Sequence, residues 1–270
     1  MGREAIVDYV IAIPSYKRAE ILKDKTLAFL ERYNVSPEKI FIFVANQEEH
    51  DTYRAVIDSK YKIIVAEKGL VQARVFYNNY FPKDTPILNL DDDLAELKQR
   101  TAQDKLETYN GTLDALVEQA FDICEKHGLK LWGINPVSNG FFMKDTITIG
   151  LRYICGNFHG SYAGDPALVA EDRAHKDSSG EDFETTLRSF VLHGAVVRFD
   201  WVCSVTKYFA QGGIDAELKD NGISDRQTDH KAALYDIQAR FPDLATIVTK
   251  AGNITNIRLK NLTYIKIKRA

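Results

Sequence analysis

Three adjacent aspartates, Asp91, Asp92 and Asp93, follow an apolar run within the stretch PILNLDDDLAEL. Adjacent carboxylates repel one another, so at least one should have a raised pKa unless a cation lies nearby. Carboxylate oxygens are the ligands that hard divalent cations such as Mg²⁺ and Mn²⁺ prefer, often together with substrate phosphates. The spacing therefore predicts a metal site. The alternative is that the aspartates cap a helix starting near Leu94, for which one carboxylate would suffice.

Polar residues also follow three other apolar runs in the N-terminal part of the chain. They are residues 14–18 (PSYKR), Asn46, and residues 67–69 (EKG). Ligands of open α/β sheets bind outside the carboxyl ends of the parallel strands. These residues and the aspartates should therefore converge at one edge of a sheet and form a single binding site.

The elements that must position these residues alternate between short apolar strands and amphipathic helices. Strands are predicted at residues 9–13, 40–45, 61–66 and 87–90, and helices at residues 19–33, 48–57, 70–80, 111–127, 181–193 and 226–240. Such alternation is typical of βαβ units. Residues 133–165 are rich in Gly, Asn and aromatic residues, which indicates loops and antiparallel strands. We therefore predict an α/β fold with a mostly parallel sheet flanked by helices and a small antiparallel region.

The composition excludes several classes of protein. The chain has 270 residues, of which 45% are hydrophobic and 27% charged, as in ordinary globular proteins. No apolar run approaches the roughly 18 residues that a membrane span requires. The cysteines, Cys124, Cys155 and Cys203, are odd in number and far apart, which favours reduced thiols in a soluble, intracellular protein. Because no linker or internal repeat interrupts the chain, we expect residues 1–270 to form one domain.

The charge is distributed unevenly along the chain. Residues 250–270 carry six basic side chains and no acidic one, so subtracting their +6 from the net charge of −3 leaves −9 on the rest. A basic tail on an acidic body could contact a polyanion such as nucleic acid. The alternative is a strand, YIKIK at residues 264–268, whose alternating lysines protect a sheet edge.

Three motifs in this order resemble the nucleotide-sugar glycosyltransferases of the GT-A fold: IPSYKR after the first strand, DDD after the fourth, and SGEDFETTLRSF opening a later helix. The resemblance covers residues 8–209. It implies that the loop after the first strand binds the donor nucleoside, that KGLVQAR lies beside the base or diphosphate, and that a DxD motif falls on Asp91 and Asp93, one toward the ribose and one toward the metal. The residues expected to bind the donor are Pro14, Ser15, Tyr16, Arg18, Asn46, Lys68, Arg74, Asp91 and Asp92.

The same resemblance places an acidic catalytic pair on Glu181 and Asp182. Transfer with inversion needs one carboxylate to deprotonate the acceptor hydroxyl, while a metal and cations stabilise the departing nucleoside diphosphate. We predict Asp182 as the base, Glu181 as the second candidate, and Mn²⁺ or Mg²⁺ bound by Asp91, Asp93 and His230. The alternative for the acidic pair is a favourable interaction with the dipole of the helix that it begins.

The opening VDYVIAIPSYKRAEILKDKTLAFL most resembles the TET/JBP-associated glycosyltransferases of viruses and phages, which are thought to glycosylate hydroxymethylpyrimidines in DNA. This resemblance implies transfer from UDP-glucose to 5-hydroxymethylcytosine in DNA. The basic tail agrees with it, whereas the acidity of the remaining chain departs from what a duplex-binding protein needs. One alternative is a GT-A enzyme that builds a glycan on a polysaccharide or glycoprotein. Another is a sugar nucleotidyltransferase or a non-catalytic nucleotide-binding module.

Within the single domain, the donor and the acceptor are expected to bind to different parts of the chain. Residues 1–110 should form the donor-binding half, residues 111–210 the acceptor-binding and catalytic half, and residues 211–270 a C-terminal extension that ends in the basic tail.

Overall fold

Four parallel strands form the N-terminal half of the central sheet. The structure, a computed structural model, describes residues 8–169, 180–206, 226–250 and 254–269. The four strands are β1 (Val10–Pro14), β2 (Ile40–Val44), β3 (Lys62–Val65) and β4 (Pro86–Leu90), in the spatial order β3-β2-β1-β4. Ile11 and Ile13 pack in one hydrophobic cluster and Ala12 in another, because alternate residues of a strand face opposite sides of the sheet. Parallel pairing places all four carboxyl ends on one edge.

Helices connect these four strands and also follow them along the chain, and local sequence sets several of the helix ends. They are α1 (Ala19–Leu22), α2 (Ala28–Arg32), α3 (Gln47–Val56), α4 (Leu70–Tyr80), α5 (Leu113–His127), α6 (Pro166–Val169), α7 (Glu181–His193) and α8 (Arg226–Arg240). A π-helical turn, Lys23–Leu27, joins α1 to α2. Thr112 caps α5 through its side chain, and Gly128 ends that helix with a φ of 66°, which glycine adopts without strain.

The remaining strands extend the sheet with mixed directions. They are β5 (Leu94–Arg100), β6 (Leu106–Thr108), β7 (Trp132–Asn135), β8 (Thr146–Leu151), β9 (Phe158–Tyr162), β10 (Val196–Thr206) and β13 (Leu262–Lys268). The order along the sheet is β13-β8-β10-β7-β9-β4-β1-β2-β3. Because β9 is antiparallel to both β4 and β7, these two strands run in the same direction. Trp132 is fully buried near the middle of this sheet and packs against aromatic rings of α5, β9 and β10.

The C-terminal part packs against α7 before it returns to the sheet. Strands β11 (Ala245–Lys250) and β12 (Ile254–Leu259) form a two-stranded antiparallel sheet. Leu187 of α7, Leu234 and Ile237 of α8, and Ile257 of β12 belong to one buried cluster. Strand β13 then pairs with β8 and forms one edge of the large sheet. The predicted edge strand in the basic tail is therefore confirmed.

The predicted α/β fold with a mostly parallel sheet and a small antiparallel region is confirmed, with one correction. Leu94 begins strand β5 and not a helix, so the interpretation of the three aspartates as a helix cap is wrong. Residues 94–99 find hydrogen-bonding partners along β10, which lies far away in the sequence. Parts of the predicted second half and extension, residues 170–179 and 207–225, lie outside the described residues. Within the described ranges, none of the helices is long and apolar enough to cross a membrane.

Candidate active site

A cleft of about 590 Å³, open to solvent, lies at the carboxyl ends of β1 to β4. The loop after β1, the end of β2, the start of α4 and the aspartates after β4 all contribute to it. Its lining residues are Pro14, Ser15, Tyr16, Arg18, Phe43, Ala45, Glu67, Gly69, Leu70, Ala73, Asp91 and Asp92. Small-molecule sites are typically concave, with mostly apolar linings and a few polar groups that fix the ligand's orientation, and this lining has that character.

Asp92, the middle aspartate, holds the loop after β1 in place. Its carboxylate accepts hydrogen bonds from Ser15 Oγ at 2.6 Å and from Arg18 Nη1 at 3.0 Å. The hydroxyl of Tyr53 lies 2.7 Å from Ser15 Oγ and accepts a hydrogen bond from the backbone N–H of Arg18 at 2.9 Å. Burial raises the pKa of Asp92, while Arg18 and Ser15 favour its ionised form. Asp92 is thus occupied by protein partners.

The outer aspartates have freer carboxylates. The side chain of Asp91 is 36% exposed and accepts a hydrogen bond from Arg74 Nη2 at 3.3 Å, and the side chain of Asp93 is 19% exposed and lies 3.5 Å from Arg18 Nη1. Desolvation in the cleft raises the pKa of Asp91 to about 7 against the lowering effect of Arg74, and the negative charges of Asp93 and Asp92 add smaller increases. Burial also raises the pKa of Asp93. A bound cation would favour the ionised forms of both.

The π-helical turn before α2 fixes the turn that carries these aspartates. Thr26 donates a hydrogen bond from its hydroxyl to the Asp91 carbonyl at 2.7 Å and accepts one from the Leu94 N–H at 3.0 Å. Thr26 is fully buried. Its hydroxyl therefore spans both ends of the acidic turn and sets the direction of the three carboxylates.

The donor chemistry of Asp91 and Asp93 suits Mg²⁺ or Mn²⁺, because two carboxylates plus substrate phosphates are a common environment for such ions. Among the described residues, no group of three His, Cys, Asp or Glu side chains is arranged to hold a metal by itself. His230 lies on α8 and is not brought together with the two aspartates in such a group. Beside the two carboxylates, substrate phosphates and water could supply the other oxygen ligands of such an ion.

The acidic pair begins α7, on the other side of Arg74 from the aspartates. Glu181 is buried and accepts a hydrogen bond from Arg74 Nη1. Asp182 accepts hydrogen bonds from the Tyr153 hydroxyl and from the backbone N–H of Phe183, the latter at 2.9 Å. Burial, and then the negative charge of Glu181, raise the pKa of Asp182 to about 6. Asp182 is therefore ionised at neutral pH and is more basic than an ordinary aspartate.

Comparison with known proteins finds no matching family model and no similar curated protein. The structure does resemble that of Staphylococcus aureus TarS residues 1–349 in complex with UDP-GlcNAc, with a TM-score of 0.55 and 13% sequence identity over 87% of this chain and 67% of that one. This similarity decides the fold. The chain has the GT-A fold.

Two other solved structures superpose less closely and carry no part of that assignment. Glucosyl-3-phosphoglycerate synthase from Mycobacterium tuberculosis, with Mn²⁺, UDP and phosphoglyceric acid, has a TM-score of 0.49 at 10% identity, covering 97% of this chain and 89% of that one. Mannosyltransferase PcManGT from Pyrobaculum calidifontis, with GDP-Man and Mn²⁺, has a TM-score of 0.44 at 11% identity, covering 71% and 56%.

On this GT-A scaffold, most of the predicted donor residues lie together, and three do not line the cleft. The six that line it are Pro14, Ser15, Tyr16, Arg18, Asp91 and Asp92. Asn46 caps α3 by accepting a hydrogen bond from the Glu49 N–H, which is a structural role. Lys68 lies at the mouth of the cleft, with its Nζ 5.6 Å from the centre of the Tyr16 ring. Arg74 does not line the cleft, and its guanidinium donates hydrogen bonds to Glu181 and to the Gly156 carbonyl.

Sequence reasoning missed the apolar wall of the GT-A cleft and the residues that support it. The apolar residues that line it are Phe43, Ala45, Leu70 and Ala73. The only sequence signal for Leu70 and Ala73 was that the segment KGLVQAR follows a predicted strand. Thr26, Tyr53 and Gly156 had no signal, because their contacts join segments that are distant in the sequence.

Proposed function

We propose that the chain is a metal-dependent glycosyltransferase that moves a sugar from a UDP-sugar to an acceptor hydroxyl with inversion. One observation carries the proposal. The cleft-facing carboxylate of Asp91 and the helix-start carboxylate of Glu181 hydrogen-bond to the same guanidinium, that of Arg74, and the raised-pKa carboxylate of Asp182 comes next in the chain. A donor site and a candidate base are therefore held in one site.

The cleft supports a nucleotide-sugar as the donor. Its lining combines the apolar side chains of Phe43, Leu70 and Ala73 with the polar groups of Ser15 and Asp91. A nucleoside diphosphate likewise combines a flat base with charged phosphates. The GT-A likeness to TarS, which holds UDP-GlcNAc in its structure, supports a UDP-sugar.

A divalent cation held by Asp91 and Asp93 would neutralise the charge that develops on the departing diphosphate. Around it, the chain's own residues do the rest. Asp182 takes the proton from the acceptor hydroxyl, whose oxygen forms a bond to the anomeric carbon. The bond from that carbon to the diphosphate oxygen breaks, and the electron pair leaves with UDP. Attack opposite the leaving group gives inversion, and no group needs to protonate the diphosphate.

The favoured acceptor is 5-hydroxymethylcytosine in DNA, with glucose as the transferred sugar. This finer proposal is supported by the resemblance of residues 7–30 and by the exposed lysines of the basic tail. The alternative acceptor is a glycan, on which activity would not depend on salt, because a neutral acceptor releases no counterions when it binds.

The test is transfer of labelled glucose from UDP-glucose to DNA that contains 5-hydroxymethylcytosine, with Mn²⁺ or with EDTA, beside unmodified DNA. We expect label on the modified DNA in Mn²⁺ alone. Asp182→Asn should retain UDP binding and lose transfer by at least about 10²-fold, as expected for a general base. Transfer that survives EDTA would overturn the metal dependence, and label on a glycan but not on DNA would overturn the acceptor. If neither the wild type nor Asp182→Asn binds UDP, the proposed donor is wrong.

A further inference from the structure

Arg74 lies on the second turn of α4 and reaches two parts of the candidate site at once. The side chain is 11% exposed. Nη1 donates to Glu181 Oε1, and Nη2 donates to Asp91 Oδ1 at 3.3 Å and to the Gly156 carbonyl at 2.9 Å. Both terminal nitrogens of its planar fork are therefore directed at protein acceptors, and none of its atoms lines the donor cleft.

Gly156 makes this arrangement possible because it has no side chain. A Cβ at this position would lie 2.7 Å from Glu181 Oε1 and 2.8 Å from Arg74 Nη1, closer than such atoms can approach. The Gly156 carbonyl also lies 3.0 Å from Nδ1 of buried His159. Burial lowers the pKa of His159 to about 3, so the ring is neutral and donates from Nδ1. Two donors thus converge on one carbonyl and hold the loop before β9 against Arg74.

We propose that Arg74 is a positioning residue that connects the metal-binding carboxylate of Asp91 to the acidic start of α7, with Gly156 providing the space for that connection. The inference rests on the proposed function and deepens it, since it assigns Arg74 to the protein scaffold and not to direct recognition of the donor. The guanidinium orients Asp91 through one terminal nitrogen and fixes Glu181, next to Asp182, through the other. The position of the metal-binding carboxylate and the position of the candidate base are then linked through one side chain.

Two substitutions disturb this connection by different routes. Arg74→Lys keeps the positive charge but replaces a planar fork by a single ammonium, which cannot bridge acceptors in fixed directions in the same way. Gly156→Ala replaces no residue that lines the cleft and acts first on the ends of two flexible side chains, those of Glu181 and Arg74. The control is Arg258→Lys, at an exposed position of β12.

The measurement is calorimetric titration with UDP, in the presence and absence of Mn²⁺, together with steady-state kinetics. We expect both variants to bind UDP without metal as the wild type does. The gain in UDP affinity on adding Mn²⁺ should fall by about tenfold or more, as for other groups that orient a metal ligand, and kcat should fall at saturating donor. Thermal unfolding of each variant separates this effect from loss of the fold. The control should match the wild type throughout.

Other results would overturn the inference. If Arg74→Lys weakens UDP binding without metal while Gly156→Ala does not, Arg74 contacts the donor directly. If both variants keep the full Mn²⁺ gain, the connection has no effect on the metal site. If Arg74→Lys fails to fold, the Mn²⁺ gain of Gly156→Ala decides whether the connection affects the metal site. If the wild-type protein binds UDP neither with nor without Mn²⁺, the proposed donor is wrong and the inference fails with it. If the wild type shows the Mn²⁺ gain and both variants keep it, only the inference about Arg74 fails.

Discussion

Tyr153 contacts the candidate base, Asp182, directly. Its hydroxyl donates a hydrogen bond to Asp182, and its ring stacks on Phe183 with 4.3 Å between the centroids. Burial, and then Glu181, raise the pKa of Asp182 to about 6, and the bond from Tyr153 lowers it by favouring the ionised carboxylate. Because a base must be deprotonated, transfer should approach its maximum about one unit above pH 6, should be about half of it near pH 6, and should be lost as the pH falls further.

Tyr153→Phe should therefore move the acidic limb of the pH–rate profile to higher pH. A hydrogen bond to a charged group is worth about 1.5 kcal/mol, which corresponds to roughly one pH unit. The matched control is Tyr61→Phe, which removes a hydroxyl bonded to Glu31 at 2.8 Å, outside the cleft lining. An acidic limb that stays in place, or that moves equally in the control, would contradict Asp182 as the titrating base.

Asp92 and Asp93 are neighbours with different predicted roles. Asp92→Asn removes the charge that Arg18 pairs with and one acceptor of Ser15, so we expect the free energy of unfolding to fall by roughly 1–3 kcal/mol. Asp93→Asn should leave stability nearly unchanged and abolish the gain in UDP affinity on adding Mn²⁺. Urea denaturation and calorimetric titration of both variants measure these effects. The roles would be reversed if Asp92→Asn lost the Mn²⁺ gain at wild-type stability.

At the scale of elements, the attachment of β13 depends on one glycine of β8. A Cβ on Gly150 would lie 2.0 Å from the backbone carbonyl oxygen of Leu262, and a backbone atom cannot move aside as a flexible side chain can. Gly150→Ala should therefore push β13 away from β8 and lower the free energy of unfolding by about 2 kcal/mol. Urea denaturation gives the size of this effect, and hydrogen exchange of the β13 amides gives its location. Unchanged protection of β13 would show that the strand tolerates the extra methyl group.

Elements whose signals are local could be predicted from sequence, and those that depend on distant partners could not. Helices α4 and α7 begin and end at the predicted residues, because apolar spacing and glycine signals lie within the segments themselves. Strand β5 follows three aspartates that could equally cap a helix. It is a strand because β10, about a hundred positions later, offers an unpaired edge to it. No local pattern reports such a partner.

At the scale of the whole molecule, contacts between distant segments likewise limit how much of the candidate site can be predicted from sequence. Parallel strands place their carboxyl ends on one edge, so the convergence of Ser15, Arg18 and Asp92 followed from topology and motif alone. The contact between Arg74 and Glu181 joins positions 107 residues apart, and the space for it depends on a glycine in a third segment. Sequence reasoning therefore predicted Arg74 as a donor contact and gave no sign of its protein partners.

The acidic body and the basic tail also belong to the whole molecule, and they lead to the last prediction. Arg269 does not have a free side chain for DNA, since its guanidinium lies 4.0 Å from the Trp201 ring centre and donates to Gln99 Oε1 at 2.7 Å. Lys266 and Lys268 are exposed on β13 and, being two residues apart in a strand, face the same side. These two lysines are therefore the better candidates for contacting phosphates.

Replacing Lys266 and Lys268 together by serine should weaken binding to hydroxymethylated and unmodified duplexes alike. Each phosphate contact contributes about 0.9 to the slope of log K against log salt concentration, so that slope should decrease by about 1–2. The matched control replaces Lys60 and Lys62, which have the same spacing near β3, at the opposite edge of the sheet. UDP affinity should not change in either variant. Thermal unfolding should be unchanged in the β13 variant, whereas the control also loses the ion pair between Lys60 and Glu31, so its unfolding curve serves to show that it remains folded. An unchanged salt slope in the β13 variant, or an equal decrease in the control, would argue against the tail as the DNA contact and in favour of a neutral acceptor.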